Sequence, residues 1–469
     1  MNPLEIKELG DIIRKVRKEQ GLRLEDLADD QISPATISNI ERGIPHVRPD
    51  KVMYLLQKLE IPMDKLPEIM NGEQRELEDL RFRLMIIETL TDTGRHEEAL
   101  EQLDAAGIDD GHLLAPSAYF LRGKVLFRKK KWRQAERAFS NGIRLAEQQP
   151  HADRSNMIST CYLMLGLCSY HQNNLEKALE HTENGLAAFH PDGERPYTIY
   201  TLLRNKAIYL ERMGRVVEAL KVVEQVWEDL PKIKQMETFF SFYWLKVELL
   251  RRSGVLDEAV EICMEGLQIA RLNKEYGALF DLWTVLGSIY IEKGDWKNAE
   301  ACLRLTTGII SEEVQPDRLA ATYIQLGLLY MYKEKWEEAE NFLSKAIKNG
   351  EEGNDMPHLT VALLSMGNLY RARNNIEEAI PYYRRAAQLS KKYRLWDKEY
   401  ESWYRLAQCY QGRDQEAFYR CTERMFTVKE EMYDNQGRML QREGKSLLVT
   451  FVPAPAPASS LRVHRSLRV

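Results

Sequence analysis

Small and bulky apolar residues recur along this chain with a period of forty. Ala219, Ala259, Ala299, Ala339 and Ala379 are forty residues apart. Twelve residues before three of them stand Gly287, Gly327 and Gly367. Four before each glycine is Trp283, Tyr323 or Leu363, and three after it is Tyr290, Tyr330 or Tyr370. A glycine on one helix and an alanine on the next let two antiparallel helices approach to ~8–10 Å, and the bulky residues fill the seam. One such pair cannot bury its apolar face alone, so the pattern predicts pairs stacked into a superhelix with a concave inner surface.

The same markers continue upstream at Ala99, at Ala135 with Gly123, at Ala178 with Gly166, and at Ala219 with Ala207. Their intervals are 36, 43 and 41 before the period settles at 40. This is the pattern of tetratricopeptide repeats, whose common length is ~34 residues. Residues 79–105 read as a degenerate first pair. Residues 398–430, with Trp403, Leu406, Ala407 and Tyr410, read as a terminal cap whose second helix is out of register. About nine pairs are expected.

The first sixty residues follow a different pattern. Leu9, Ile12, Ile13 and Val16 line one face of a helix over 4–20 that stops near Gly21. A short helix over 24–30 follows. Ser33 suits an N-cap, Pro34 the first helical position and Gly43 the stop of a third helix. A fourth, over 49–59, carries Val52, Leu55, Leu56 and Leu59. Four short helices with a polar-faced third one predict a helix-turn-helix domain. The expected fold is all-α: a helix-turn-helix domain over 1–62, a linker over 63–76 marked by prolines and Asn71-Gly72, a solenoid of helix pairs over 77–440, and a disordered tail over 441–469.

The head resembles the Cro/C1-type phage-repressor DNA-binding family. The resemblance rests on Gly10, Ile13, Arg14, Arg17, Gly21 and Leu22, then Leu27-Ala28, then Ser33, Ile37, Ser38, Ile40, Glu41 and Gly43 at the family's offsets. It implies that residues 33–42 form the recognition helix in the major groove. Ala35, Thr36 and Asn39 would then face base edges, where an amide pairs with adenine and a methyl meets thymine. Arg23, Arg42, His46 and Arg48 would lie near phosphates, with Ser33 and Ser38 completing the contact set. Arg17 and Glu41 match the family's internal ion pair. One departure is Arg23-Leu24, where the family has a polar pair that contacts DNA.

Charge changes this picture. Residues 1–60 hold ten Lys and Arg against eleven Asp and Glu, and the whole chain carries −5. Non-specific affinity comes largely from phosphate neutralisation, so one such head binds DNA weakly. Two heads on two half-sites offset this, and a dimer or tetramer is expected. The chain has 469 residues, 44% hydrophobic and 29% charged, and no run of ~18 apolar residues that spans a membrane. The start lacks the basic and apolar stretches of a secretory signal. Six scattered cysteines without a CxxC pair read as reduced thiols, and a cytoplasmic location is expected. No phosphate loop, dinucleotide fingerprint, zinc motif or nucleophile elbow occurs, so neither an enzyme nor a cofactor or metal site is expected.

Repeat geometry places the concave lining at fixed offsets before each marker alanine. These are Lys124 and Arg128, then Arg204 and Asn205, then Trp244, Glu248 and Arg251, then Asp281 and Ser288, then Gln325, and finally Asn368 and Arg371. Amides there can donate to and accept from an extended peptide, arginines can take a carboxylate, and Trp244 offers an apolar anchor.

Head and array together resemble the RNPP family of peptide-responsive regulators, most closely its NprR-like branch. That resemblance implies a quorum-sensing transcription regulator. Its inner face would bind a short signalling peptide, and the peptide would change the oligomer and the spacing of the heads on an operator. The branch is also associated with binding a response regulator of the sporulation phosphorelay. A scaffold that inhibits such a regulator without DNA therefore stays open at this point, supported by Leu24 and the acidic balance of the head.

Overall fold

The computed structural model describes residues 3–44, 47–61, 66–149, 152–309 and 316–442. All regular structure in the described residues is helical. The chain divides into two compact units, 1–382 and 383–469.

The head holds α1 (Pro3–Glu19), α2 (Leu24–Leu27), α3 (Pro34–Glu41) and α4 (Pro49–Lys58). The second helix is one turn long, shorter than its expected span, because Ala28 is already extended. The Ser33 hydroxyl accepts from the Thr36 amide at 3.2 Å and fixes the start of α3. Leu9, Ile12, Ile13, Leu27, Ile37, Ile40, Leu55, Leu56 and Leu59 form one core. A Cβ at Gly10 would run into the Ile40 carbonyl, so glycine is what lets α1 lie on α3.

Among the described residues nine helix pairs follow. The first four are α5 (Leu66–Asp92) with α6 (His96–Ala105), α7 (Ala115–Arg128) with α8 (Trp132–Glu147), α9 (Met157–His171) with α10 (Leu175–Ala187), and α11 (Thr198–Arg212) with α12 (Val216–Trp227). Next come α13 (Met236–Arg252) with α14 (Leu256–Asn273), and α15 (Tyr276–Glu292) with α16 (Trp296–Ile309). The last three are α17 (Pro316–Tyr332) with α18 (Trp336–Glu352), α19 (Met356–Ala372) with α20 (Ile376–Lys392), and α21 (Trp396–Tyr410) with α22 (Gln415–Arg442).

The periodic markers sit where close packing demands them. A Cβ at Gly287 would lie 2.6 Å from Leu303, and one at Gly327 would lie 2.6 Å from Leu343. Ala219, Ala259, Ala299, Ala339 and Ala379 are fully buried. The turn inside each pair repeats too. Five residues before each marker the backbone is left-handed, at Gly94, Lys130, Asn173, Gly214, Gly254, Gly294, Glu334 and Asn374.

Two expectations need correction. The ninth pair keeps this register, because buried Ala417 follows left-handed Gly412 by the same five residues. Its interval from Ala379 is 38 rather than 40, which hid it. The expected linker is helical from Leu66 onward. Pro67 falls in the first turn of α5, where its missing N–H costs nothing. Residues 62–65 and the tail beyond 442 lie outside the described residues.

Within the first unit, α1 docks on the array. Arg14 donates to the Gly111 carbonyl at 3.2 Å, and Lys15 and Lys18 pair with Glu76 and Asp109 at 3.0 and 3.5 Å.

Candidate functional site: an outward recognition helix and the inner face of the array

The head presents α3 as the sequence requires. Ile37, Ile40 and Glu41 point into the core. Ser33, Ala35 and Arg42 are exposed, and Thr36, Ser38 and Asn39 are half-buried on the outer face. The Arg42 guanidinium donates to the Ser38 hydroxyl at 2.7 Å, so the two act together. Arg23 is exposed at the start of α2, and Arg48 pairs with Asp50 at 2.9 Å. His46 lies outside the described residues. The internal ion pair is present: Arg17 Nη2 and Nε meet the buried Glu41 carboxylate at 2.9 and 2.5 Å, and Nη1 donates to the Leu22 carbonyl at 2.7 Å. Arg17 thus ties the turn after α1 to α3, and Glu41 raises its pKa further.

In the array, successive first helices from α7 to α19 lie side by side, whereas their second helices are splayed apart. The first helices therefore line the inner face. The expected lining residues stand in three states there. Lys124 reaches back to Glu88 and Asp92 at 2.9 Å, and Arg128 lies 4.0 Å from Asp92. These two cations are neutralised by the preceding first helix.

A second group forms a buried network. Glu248 is held by Arg251 at 2.6 Å and Arg252 at 2.9 Å. Arg251 also engages Glu292, and Arg252 engages Glu211 at 2.5 Å. Burial works against ionisation of Glu248, but the two guanidinium groups outweigh it and its pKa falls. Burial prevails at Glu211 and pushes its carboxyl up despite Arg252. The network clamps α11, α13 and α15 at one edge of the inner face.

The third group keeps donors in hand. Asn205 is only 2% exposed; its Oδ1 accepts from Arg204, while its Nδ2 has no protein partner. Arg371 Nε is likewise buried without a protein partner. Buried donors are nearly always satisfied, and one left open costs ~1–3 kcal/mol. Arg204 also reaches Glu237 at 3.2 Å. Trp244 packs partly on the core, Ser288 donates to Thr284 of its own helix at 3.0 Å, and Asp281, Gln325 and Asn368 are half-buried on the same row of helices.

One cluster was not anticipated. Asn173, in the turn of the third pair, donates to the Asn354 carbonyl at 3.0 Å, and Asn354 donates to the His171 carbonyl at 3.3 Å. Beside them Arg212 meets Asp355 at 3.1 Å, and His358 stands 2.7 Å from the same carboxylate. Asp355 is 6% exposed and caps α19. Burial opposes its charge, yet Arg212 and His358 hold its pKa well below the ordinary range. The superhelix thus completes a turn and rests on itself between the third and fourth pairs and the eighth.

The helix-turn-helix family matches residues 13–66, and tetratricopeptide families match 84–152, 278–352 and 318–392. Among curated proteins none matches the chain in sequence. Solved structures of Rap and NprR proteins share the fold. A Rap protein complexed with Competence and Sporulation Factor aligns with a TM-score of 0.55 at 15% identity over 76% of this chain and 99% of its own. NprR in complex with its cognate peptide NprX gives 0.53 at 14% over 76% and 99%. The apo form of the quorum sensor NprR from B. thuringiensis gives 0.51 at 15% over 80% and 99%. The chain is therefore an all-α protein that joins a helix-turn-helix head to a tetratricopeptide solenoid. That fold is the one it shares with the Rap and NprR structures. Among the described residues, no helix is long and apolar enough to cross a membrane.

Proposed function

We propose that this protein is a cytoplasmic transcription regulator controlled by a short linear peptide. The peptide lies along the inner face of the array, and the heads of an oligomer read two half-sites of an operator. The observation that carries the reading is that buried donors on the first helices, among them Asn205 Nδ2 and Arg371 Nε, have no protein partner. A peptide supplies the missing acceptors: a backbone carbonyl suits the amide and a carboxylate suits the guanidinium. The cognate peptide held by the structurally similar NprR supports the same use of this fold.

DNA reading is supported by the outward face of α3; on this reading Asn39 meets a base edge and Arg42 a phosphate. The peptide-dependent oligomer rests on the weak charge of a single head. Sedimentation of the full chain, with and without peptides selected for binding, tests it. A change of oligomer that tracks operator affinity is expected. An oligomer and an affinity that ignore every bound peptide contradict it.

A further inference from the structure

The second unit contains a cleft that plays no part in the reading above. It is an open cleft of about 560 Å³ between the end of α20, α21 and α22. Cavities of ~300–1,000 Å³ suit small molecules. Its floor is apolar, built from Trp403, Leu406 and Ala417. The Trp403 indole N–H is already directed at Glu399, 3.3 Å away, so the indole brings its apolar body and not a free donor to the cleft.

The walls are cationic. Arg384 and Lys391 stand seven residues apart on one face of α20. That is about 10 Å along the helix, within reach of a common point midway for two long side chains. Arg384 donates to the Tyr410 hydroxyl at 2.8 Å, a neutral partner that orients the guanidinium and leaves its charge whole. Among the described residues no carboxylate pairs with Lys391. Opposite them, Arg424 is neutralised by buried Glu399 at 2.8 Å, and Arg420 lies 3.4 Å from Glu416 in an exposed pair. Glu423 is the acid on the lining itself. The unneutralised positive charge is therefore concentrated on α20, beside an aromatic floor.

We propose that this cleft binds a small amphipathic carboxylate. Its acid group lies between Arg384 and Lys391, and its apolar body lies over Trp403 and Leu406. A planar guanidinium pairs well with a carboxylate, and the cleft's apolar floor suits a ligand with one charged end better than a fully polar anion. The inference is independent of the peptide and of DNA.

Calorimetry on the full chain tests it with sodium decanoate and with its neutral isostere decanamide. Decanoate is expected to bind at least about tenfold tighter than decanamide, the worth of one charge-assisted contact. Arg384→Gln with Lys391→Gln is expected to remove that difference and leave decanamide unchanged. Trp403→Ala is expected to weaken both. Both α20 positions are exposed, so the double variant keeps the fold. Equal affinity for the acid and the amide, decanoate affinity indifferent to the double variant, or no decanoate binding would each overturn the proposal.

Discussion

On α3 of the head, Ala35, Asn39 and Arg42 stand outward while Ile37, Ile40 and Glu41 hold the helix in place from within. On the inner face of the array the division is reversed. Lys124 is satisfied by the preceding first helix, Glu248 by Arg251 and Arg252 of its own helix, and Arg251 also by Glu292 of the next first helix, while donors such as Asn205 Nδ2 and Arg371 Nε are left open. The head's polar face is thus separable from its stability. The array's polar face is not, because the same ion pairs join α11, α13 and α15. The outward face of a small domain and the inner face of a coil of repeats are built by different means.

That contrast breaks most visibly at the clasp. Asp355→Ala leaves Arg212 buried without its partner, and such a loss costs about 3–5 kcal/mol. A clear fall in the urea midpoint of the full chain is expected, with opening confined to the array. Unchanged stability would mean that the superhelical turns do not support one another. The carboxyl is held low in the fold, so its contribution is present above the ordinary carboxylate range and is lost as pH falls below it. Melts at pH 8 and pH 5 should therefore show the same gap between variant and parent.

The head should respond in the opposite sense. Asn39→Ala with Arg42→Ala is expected to cost ~1–3 kcal/mol of operator affinity per base contact. Its melting curve should shift by no more than ~0.5 kcal/mol, as for other surface changes. Retained site-specific binding in a gel-shift titration would instead favour a scaffold whose head is idle.

The smallest expected effect is a rate. All six cysteines lie in the repeats and none in the head. Burial pushes Cys161 and Cys168 up to about 12, against an ordinary ~8.5, so very little thiolate exists at pH 8. Thiol labelling should be slow in the native chain and faster in Asp355→Ala. Fast labelling of the parent would show that the turns open freely.

The parts of this molecule legible in its sequence are those set by local packing. Gly10 leaves a mark because a Cβ there would meet the Ile40 carbonyl, and Gly287 because a Cβ there would crowd the Leu303 side chain. Arg17 with Glu41 is legible because it closes a short domain at fixed offsets. The clasp left no such mark, since Arg212 and Asp355 are 143 residues apart and meet only once the coil has turned. Offsets within a pair also say nothing of the acid on the preceding helix, so Glu88 and Asp92 beside Lys124 went unseen. Near Pro67 and Gly72 the chain is helical despite residues that usually interrupt helices, because a long first helix carries through them.

The most direct test is an affinity selection of short random peptides on the full chain, repeated with Asn205→Ala and Arg371→Ala combined. The account predicts peptides that bind the parent and lose about tenfold or more on the variant, the worth of a charge-assisted hydrogen bond. Peptides that bind both proteins alike, or none that bind the parent, would contradict it.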